Sequence, residues 1–191
     1  MTRRAEGKTV AILATDGFEE VELTSPREAL ENAGAKVTIV SLKSGEIEGH
    51  QHREKGKKVK VDQTLDEAKA DDFNAVLIPG GLFNPDALRV NDKALKFASA
   101  FFEQKKPVFS ICHGPQVLIS AGLVNGRRMT GFKAIQQDLK NAGGIVKDQS
   151  VVVDGGLVTS RSPDDLGDFN AKIVEEICEG KHERQSDSVT A

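Results

Sequence analysis

The strongest constraint on this chain is a rhythm of short apolar runs, each of strand length and each leading into a helical pattern. TVAILAT at 9–15 precedes a helical segment that ends near Gly34, and a strand over Lys36 to Ser41 follows. NAVLIPGG at 74–81 cuts off a β-branched run at Pro79-Gly80-Gly81. Residues Asp92 to Gln104 then place Ala94, Leu95, Ala98, Phe101 and Phe102 at helical spacing. KPVFSI at 106–111 is the next strand, and Pro115 to Ala121 the next helix. Strands alternating with helices in this way predict an α/β fold, a mostly parallel sheet covered on both faces. No repeat or linker breaks the pattern, so residues 1–191 read as one domain with a core over about 8–180 and a polar tail expected to fray.

Finer features carry their own expectations. Pro26 predicts a kink or restart in the first helix. The charged stretch GEIEGHQHREKGKKVKVD reads as a loop or hairpin leading to a short strand at Val59 to Val61. Thr64 followed by Glu67 fits a capping box and predicts a short helix. Around GRRMTGF and AIQQDLKNAGG a strand-like segment and another helix are expected, and IVKDQSVVVDGGLVTS reads as two strands joined across Asp154-Gly155-Gly156. The last helix has the clearest predicted start: Ser162 as N-cap, Pro163 at its first position and Asp165 at its third.

Charge and composition exclude several classes. With 26 basic and 29 acidic residues the net charge is −3, which gives no reason to expect nucleic acid or a membrane surface as partner. No run approaches the roughly 18 apolar residues of a membrane span. MTRRAEGKTV lacks the apolar region of a signal peptide, and the two cysteines are too few for a disulfide framework. A cytoplasmic protein with reduced thiols is expected.

The chemistry gathers around VFSICHGPQVL. Cys112 ends a strand, and a helix begins two or three residues later. In an open α/β sheet, sites form at such strand ends. Helix N-termini and unpaired N–H groups favour thiolate over thiol there. Gly114 permits a sharp turn, and Pro115 suits the first helical turn. A strand–nucleophile–helix elbow follows, with sulfur in place of a serine oxygen. The plain alternative is an inert core cysteine. His113 is open as a base, a structural hydrogen-bonder or an exposed loop residue.

Other strand ends add candidates. Glu19, Glu20 and Glu22 follow the first strand; the first two read as helix-dipole complements. Either Val21 or Glu22 must point toward the sheet edge. Gly80 and Gly81 permit close backbone approach to whatever lies beside Cys112, or form a plain tight turn. Asp86 reads as an N-cap behind Pro85, or as a third group orienting His113. Cys112 and His113 lack the clustered partners of a zinc site, and His50 and His52 read as solvated. No phosphate-binding glycine motif is present. Neither metal nor cofactor is expected. Cys178, in the last helix, reads as a packed or half-buried thiol.

Taken together, VAILATDGFEEVELTSP, AVLIPGG, KPVFSICHGPQVLISAG, NAGG and LVTSRSPDDLGDFN resemble the DJ-1/PfpI superfamily, and specifically its PfpI-like bacterial and archaeal stress proteins. The resemblance spans almost the whole chain. It implies a flavodoxin-like three-layer sandwich and a homodimer or higher homo-oligomer. It places the family's nucleophilic, oxidation-prone cysteine on Cys112 and the following histidine on His113. The protonated carboxyl that hydrogen-bonds the sulfur falls on Glu22. Gly81, with Gly80 and the His113 N–H, supplies the backbone of an oxyanion site. The acidic residue that completes a protease triad across a subunit interface falls on Asp86. There GGLFNPD is one residue longer than the usual spacing, and Asp is shorter than Glu; both weigh against efficient proteolysis. The family's implied roles are peptidase, glyoxalase or deglycase, chaperone and oxidative-stress factor. The expectation is a stress protein whose Cys112 attacks a small aldehyde, glycated group or peptide. The alternative is a redox sensor or chaperone using the same oxidisable thiol.

Overall fold

The computed structural model describes residues 5–188. In chain order the elements are β1 (Thr9–Leu13), β2 (Phe18–Glu19), α1 (Glu20–Asn32), β3 (Lys36–Ser41), β4 (Glu46–Gln51), β5 (Glu54–Lys60), β6 (Gln63–Thr64) and β7 (Ala75–Ile78). There follow α2 (Phe83–Leu88), α3 (Asp92–Glu103), β8 (Val108–Ile111), α4 (Pro115–Ser120), β9 (Arg128–Met129) and α5 (Gln136–Asn141). The chain ends with β10 (Ile145–Val146), β11 (Val151–Asp154), β12 (Leu157–Ser160), α6 (Leu166–Glu179) and a short 3-10 segment over 183–188.

Seven strands form the central sheet in the order β11-β12-β8-β7-β1-β3-β6. Every pairing in it is parallel except β11 with β12. The continuous apolar runs are explained by the pleat. In β1, Val10 and Ile12 enter one core while Ala11 and Leu13 enter the other; Ala75 and Leu77 divide from Val76 and Ile78 in the same way. The first core is closed by Leu23 and Leu30 of α1 and Phe169, Ile173 and Ile177 of α6. The second is closed by Phe97, Phe101 and Phe102 of α3 and Val117 and Leu118 of α4. This is the mostly parallel, doubly covered α/β sheet that the alternation predicts. Among the described residues no helix is long and apolar enough to cross a membrane.

Several local expectations are corrected. Helix α1 begins at Glu20 and runs through Pro26 without restarting. Of the two forms expected for the charged stretch the hairpin holds, β4 against β5, but its second strand spans Glu54–Lys60 rather than Val59 to Val61, and β2 pairs with β4 to make a small separate sheet. Thr64 and Glu67 do make the capping contacts, with Glu67 Oε2 accepting from the Thr64 N–H at 2.8 Å and its hydroxyl at 2.9 Å. They close a turn rather than a helix, because Thr64 is already paired with Ser41 in the sheet. Ser162 precedes a 3-10 turn over Pro163–Asp165 and makes no side-chain cap; Asp165 instead binds Arg161 at 2.8 Å. Asp86 lies inside α2, whose N-cap position is Leu82, so it is not a cap.

The tail is also anchored, contrary to the fraying expected from Gly180 onward. Gln185 is fully buried, receives Arg127 Nη2 on its side-chain oxygen at 2.8 Å, and donates to the Lys106 carbonyl at 3.1 Å. A polar sequence gave no hint of this, since the partners lie some 60–80 residues away.

Candidate active site

The ends of β7, β8 and β12 and the start of α1 converge on Cys112. Its backbone takes a left-handed conformation, φ 60°, which costs a residue with a side chain and persists only when neighbours hold it. They do. The Cys112 N–H donates to the Ser160 carbonyl at 3.0 Å, and its own carbonyl accepts the Phe132 N–H at 2.8 Å. The strain thus sits on the cysteine and not on Gly114, as a glycine turn would have it. Gly114 is needed for space: a Cβ there would lie 2.5 Å from the Ile78 carbonyl and 2.5 Å from the Ser110 hydroxyl.

Glu22 is the first-turn residue of α1 that turns inward; it is fully buried, while Val21 is 38 % exposed. Its Oε2 accepts the Gly80 N–H at 2.8 Å. Its Oε1 is buried without a hydrogen-bond partner, and the carboxyl lies against the Cys112 thiol. No cation faces it. Burial, with the nearby Glu19 charge adding to it, pushes Glu22 up to about 8, against the opposing pull of the Cys112 and Gly80 hydrogen bonds. At neutral pH Glu22 is therefore mainly the neutral acid, with one O–H to give.

Cys112 is 7 % exposed. Burial pushes its thiol up, and so does any negative charge on Glu22; the N–H groups of His113 and Gly81 pull the other way. Two anions cannot share this pocket, so a thiolate forms only beside a protonated Glu22. His113 brings Nδ1 to 3.2 Å from Sγ. Its ring stacks on Phe132, centroids 4.6 Å apart, and burial lowers its basicity so that it is a neutral imidazole.

The two glycines are positioned as close approach demands. A Cβ on Gly80 would meet Glu22 Oε2 at 2.5 Å and the Cys112 Cβ at 2.8 Å. Gly81 has φ 84° and would collide with the Gly17 carbonyl at 2.2 Å. Both backbone N–H groups are thus directed at the acid–thiol pair: Gly80 at Glu22, Gly81 at Cys112.

Cys112, His113, Glu22 and Gly81 all line one cavity of about 550 Å³, walled by Leu82, Phe132, Ala134 and Pro163. Asp86 is not among its lining residues; it is exposed on α2 and makes no hydrogen bond to His113 within the described chain. Phe132 and the Pro163 turn were not legible as site residues, because only the crossing of β12 beside β8 brings them there. The acidic residues read as dipole complements have other work. Glu19 Oε2 accepts the His52 N–H at 3.0 Å and Glu20 Oε2 the Lys57 N–H at 2.7 Å, clamping the β4–β5 hairpin beside the cavity. His52 is exposed, but His50, expected to be solvated, packs edge-on against Phe83. Cys178 is half-buried.

Residues 8–176 match the model of the DJ-1/PfpI family. The chain belongs to that family. As a DJ-1/PfpI protein it is 51 % identical over 167 residues to YraA of Bacillus subtilis strain 168, a relative whose name provisionally makes it a cysteine protease; the match covers 87 % of this chain and 96 % of YraA. It is 45 % identical over 170 residues to General stress protein 18 of the same organism, covering 88 % and 96 %. The crystal structure of Drosophila melanogaster DJ-1beta superposes with a TM-score of 0.82 at 26 % identity, over 99 % of this chain and 96 % of that one.

Proposed function

We propose that this DJ-1/PfpI protein is a stress-response enzyme that adds the Cys112 thiol to small reactive aldehydes, in the manner of a glyoxalase or deglycase. The observation that carries this reading is the neutral Glu22 acid against the thiol, with no carboxylate hydrogen-bonded to His113 among the described residues. Amide hydrolysis needs a stabilised imidazolium that protonates a leaving amine. Addition to an aldehyde has no leaving group, so a neutral imidazole and one carboxylic acid suffice.

In that sequence His113 Nδ1 takes the Sγ proton and the sulfur bonds to the aldehyde carbon. The C=O pair moves to oxygen, which takes the Glu22 proton, giving a hemithioacetal. The N–H groups of Gly81 and His113 are the donors at hand for the developing oxyanion. With a 2-oxoaldehyde, the Glu22 carboxylate then moves the C1 proton to C2 while the C1 hydroxyl proton passes to the C2 oxygen, which turns the hemithioacetal into a thioester. Water hydrolyses the resulting thioester to a 2-hydroxy acid and regenerates the thiol.

The test is methylglyoxal consumption with lactate as product, followed beside cleavage of a peptide panel. Turnover should fall at least about a hundredfold in Cys112→Ser. Equal turnover in wild type and Cys112→Ser would sink the reading. A second reading, peptide hydrolysis, rests on the exposure of Asp86 on α2, which leaves it free to reach a second subunit's histidine. It is favoured if peptide cleavage alone is detected and Asp86→Ala removes it.

A further inference from the structure

A second cluster of ligand-type side chains lies at the other end of the chain, outside the Cys112 cavity. Helix α6 stops at Gly180, whose φ of 88° turns the backbone out of the helix while its N–H still caps the Glu176 carbonyl. The turn brings His182 back alongside the last helical turn. Its backbone N–H is fixed to the Lys105 carbonyl at 2.8 Å, and its ring rests on Gly156, where a Cβ would lie 3.0 Å from Cδ2. His182 Nε2 then lies 3.0 Å from Glu176 Oε2 and 3.9 Å from Glu179 Oε2, and one ligand atom from each residue fits within 4.8 Å of the other two.

The buried member decides what this cluster is for. Glu176 is 4 % exposed, and its Oε2 has no hydrogen-bond partner; neither has the His182 Nε2 that faces it. The 3.0 Å approach is an ion-pair distance if His182 is protonated, but it lacks the directionality of a hydrogen bond, so two buried polar atoms face one space with no hydrogen-bond partner among the described residues. The neighbouring Glu175 is different, since it is already taken by Lys172 at 2.6 Å. One imidazole nitrogen and two carboxylate oxygens are a donor set for a divalent transition metal; zinc accepts both types at about 2.0–2.2 Å.

We propose that Glu176, Glu179 and His182 bind a divalent transition-metal ion of zinc type, with water completing the shell on the side where Glu179 is exposed. The inference is independent of the Cys112 chemistry, and it departs from the sequence expectation of no metal. Its consequence is structural. The ion joins α6 to the segment beyond Gly180, and so holds in place the buried Gln185 that ties Arg127 and the Lys106 carbonyl together. An ion that binds only the assembled site raises the unfolding midpoint, and the rise grows with the logarithm of free ion concentration above the dissociation constant.

Zinc chloride is titrated calorimetrically into the full-length protein, into Cys112→Ser, and into Glu179→Gln and His182→Gln, with thermal unfolding followed in parallel. Glu179 is about half exposed, so its substitution leaves the fold intact. The expected result is one ion per chain with a dissociation constant on the order of 10 µM or tighter, equal in wild type and Cys112→Ser, and weakened at least about tenfold by each of the other two substitutions. The zinc-dependent rise in unfolding midpoint should vanish in Glu179→Gln. Binding lost in Cys112→Ser but kept in His182→Gln would overturn the proposal by placing the ion at the thiol. Binding only near millimolar zinc, or calcium binding as tightly and indifferently to His182→Gln, would overturn it as well.

Discussion

Two buried carboxyl groups, Glu22 and Asp154, sit at opposite edges of chemical circumstance. Asp154 is 1 % exposed, yet it is surrounded by cations: Arg127 Nε lies 3.3 Å from its Oδ2, and Arg128 and Arg184 approach Oδ1 at 3.7 and 3.6 Å. The Arg128 N–H adds a hydrogen bond at 2.9 Å. Glu22 is as deeply buried and has one backbone N–H, a thiol and, among the described residues, no salt bridge. The difference teaches which buried acid holds the fold and which is held by it. Asp154 fastens the edge hairpin and the C-terminal segment; Glu22 is a buried acid whose ionisation the site resists.

The comparison breaks most sharply at Asp154. Replacing it with Ala leaves the Arg127 guanidinium, itself 4 % exposed, without its carboxylate, so stability should fall by about 3–5 kcal/mol in urea unfolding. A loss under about 1 kcal/mol would show that the contacts Arg127 keeps, with Gln185 and with the residue-154 carbonyl among them, suffice.

Glu22→Gln should act in the opposite sense and depend on pH. The native carboxyl titrates near 8 and the unfolded one near 4.5, so between these values the native state binds more protons. Wild-type stability therefore falls as pH rises through that window, on the order of 1 kcal/mol per unit, and is level above it. Gln does not titrate, so the variant should gain on wild type between pH 5 and pH 8. Parallel stability curves for the two proteins would mean that Glu22 is ionised throughout.

A smaller effect is expected at Gly80. Its Ala variant drives a methyl into Glu22 Oε2 and the Cys112 Cβ, costing about 1–3 kcal/mol and displacing the acid from the thiol. Iodoacetamide labelling of Cys112 should change in rate while that of Cys178 does not. Smallest of all is Arg128→Ala. Its side chain is 54 % exposed at the rim of Asp154, and its removal should change stability by no more than about 0.5 kcal/mol. A larger loss would mean that the rim, and not Arg127, carries the Asp154 anchor.

Much of the fold was readable because burial on both faces leaves a signature that needs no partner. AVLI is apolar at every position and VFSI at all but Ser110, since both sides of the sheet are covered, and the intervening helices follow from their period. Cys112 was readable for a related reason: strand, nucleophile and helix start are contiguous. Asp86 shows the limit. Its place beside Pro85 suggested a cap, yet the helix start is set by the first turn of α2, where Asn84 is fully buried, donates to the Pro79 carbonyl and accepts the Thr15 N–H. Thr64 and Glu67 show it too, since a local capping signal yielded to strand pairing with Ser41.

By itself, the sequence determined the layered α/β architecture, the elbow at Cys112 and the family to which those motifs point, because each is written in residues adjacent along the chain or repeating with a fixed period. Glu22 was reached through the family resemblance; only the tertiary structure decided that Phe132 supports His113 and that Glu176 and His182 meet behind a helix end. Those pairings join segments brought together by strand order and chain reversal, and no local pattern of side chains encodes a distance across the fold.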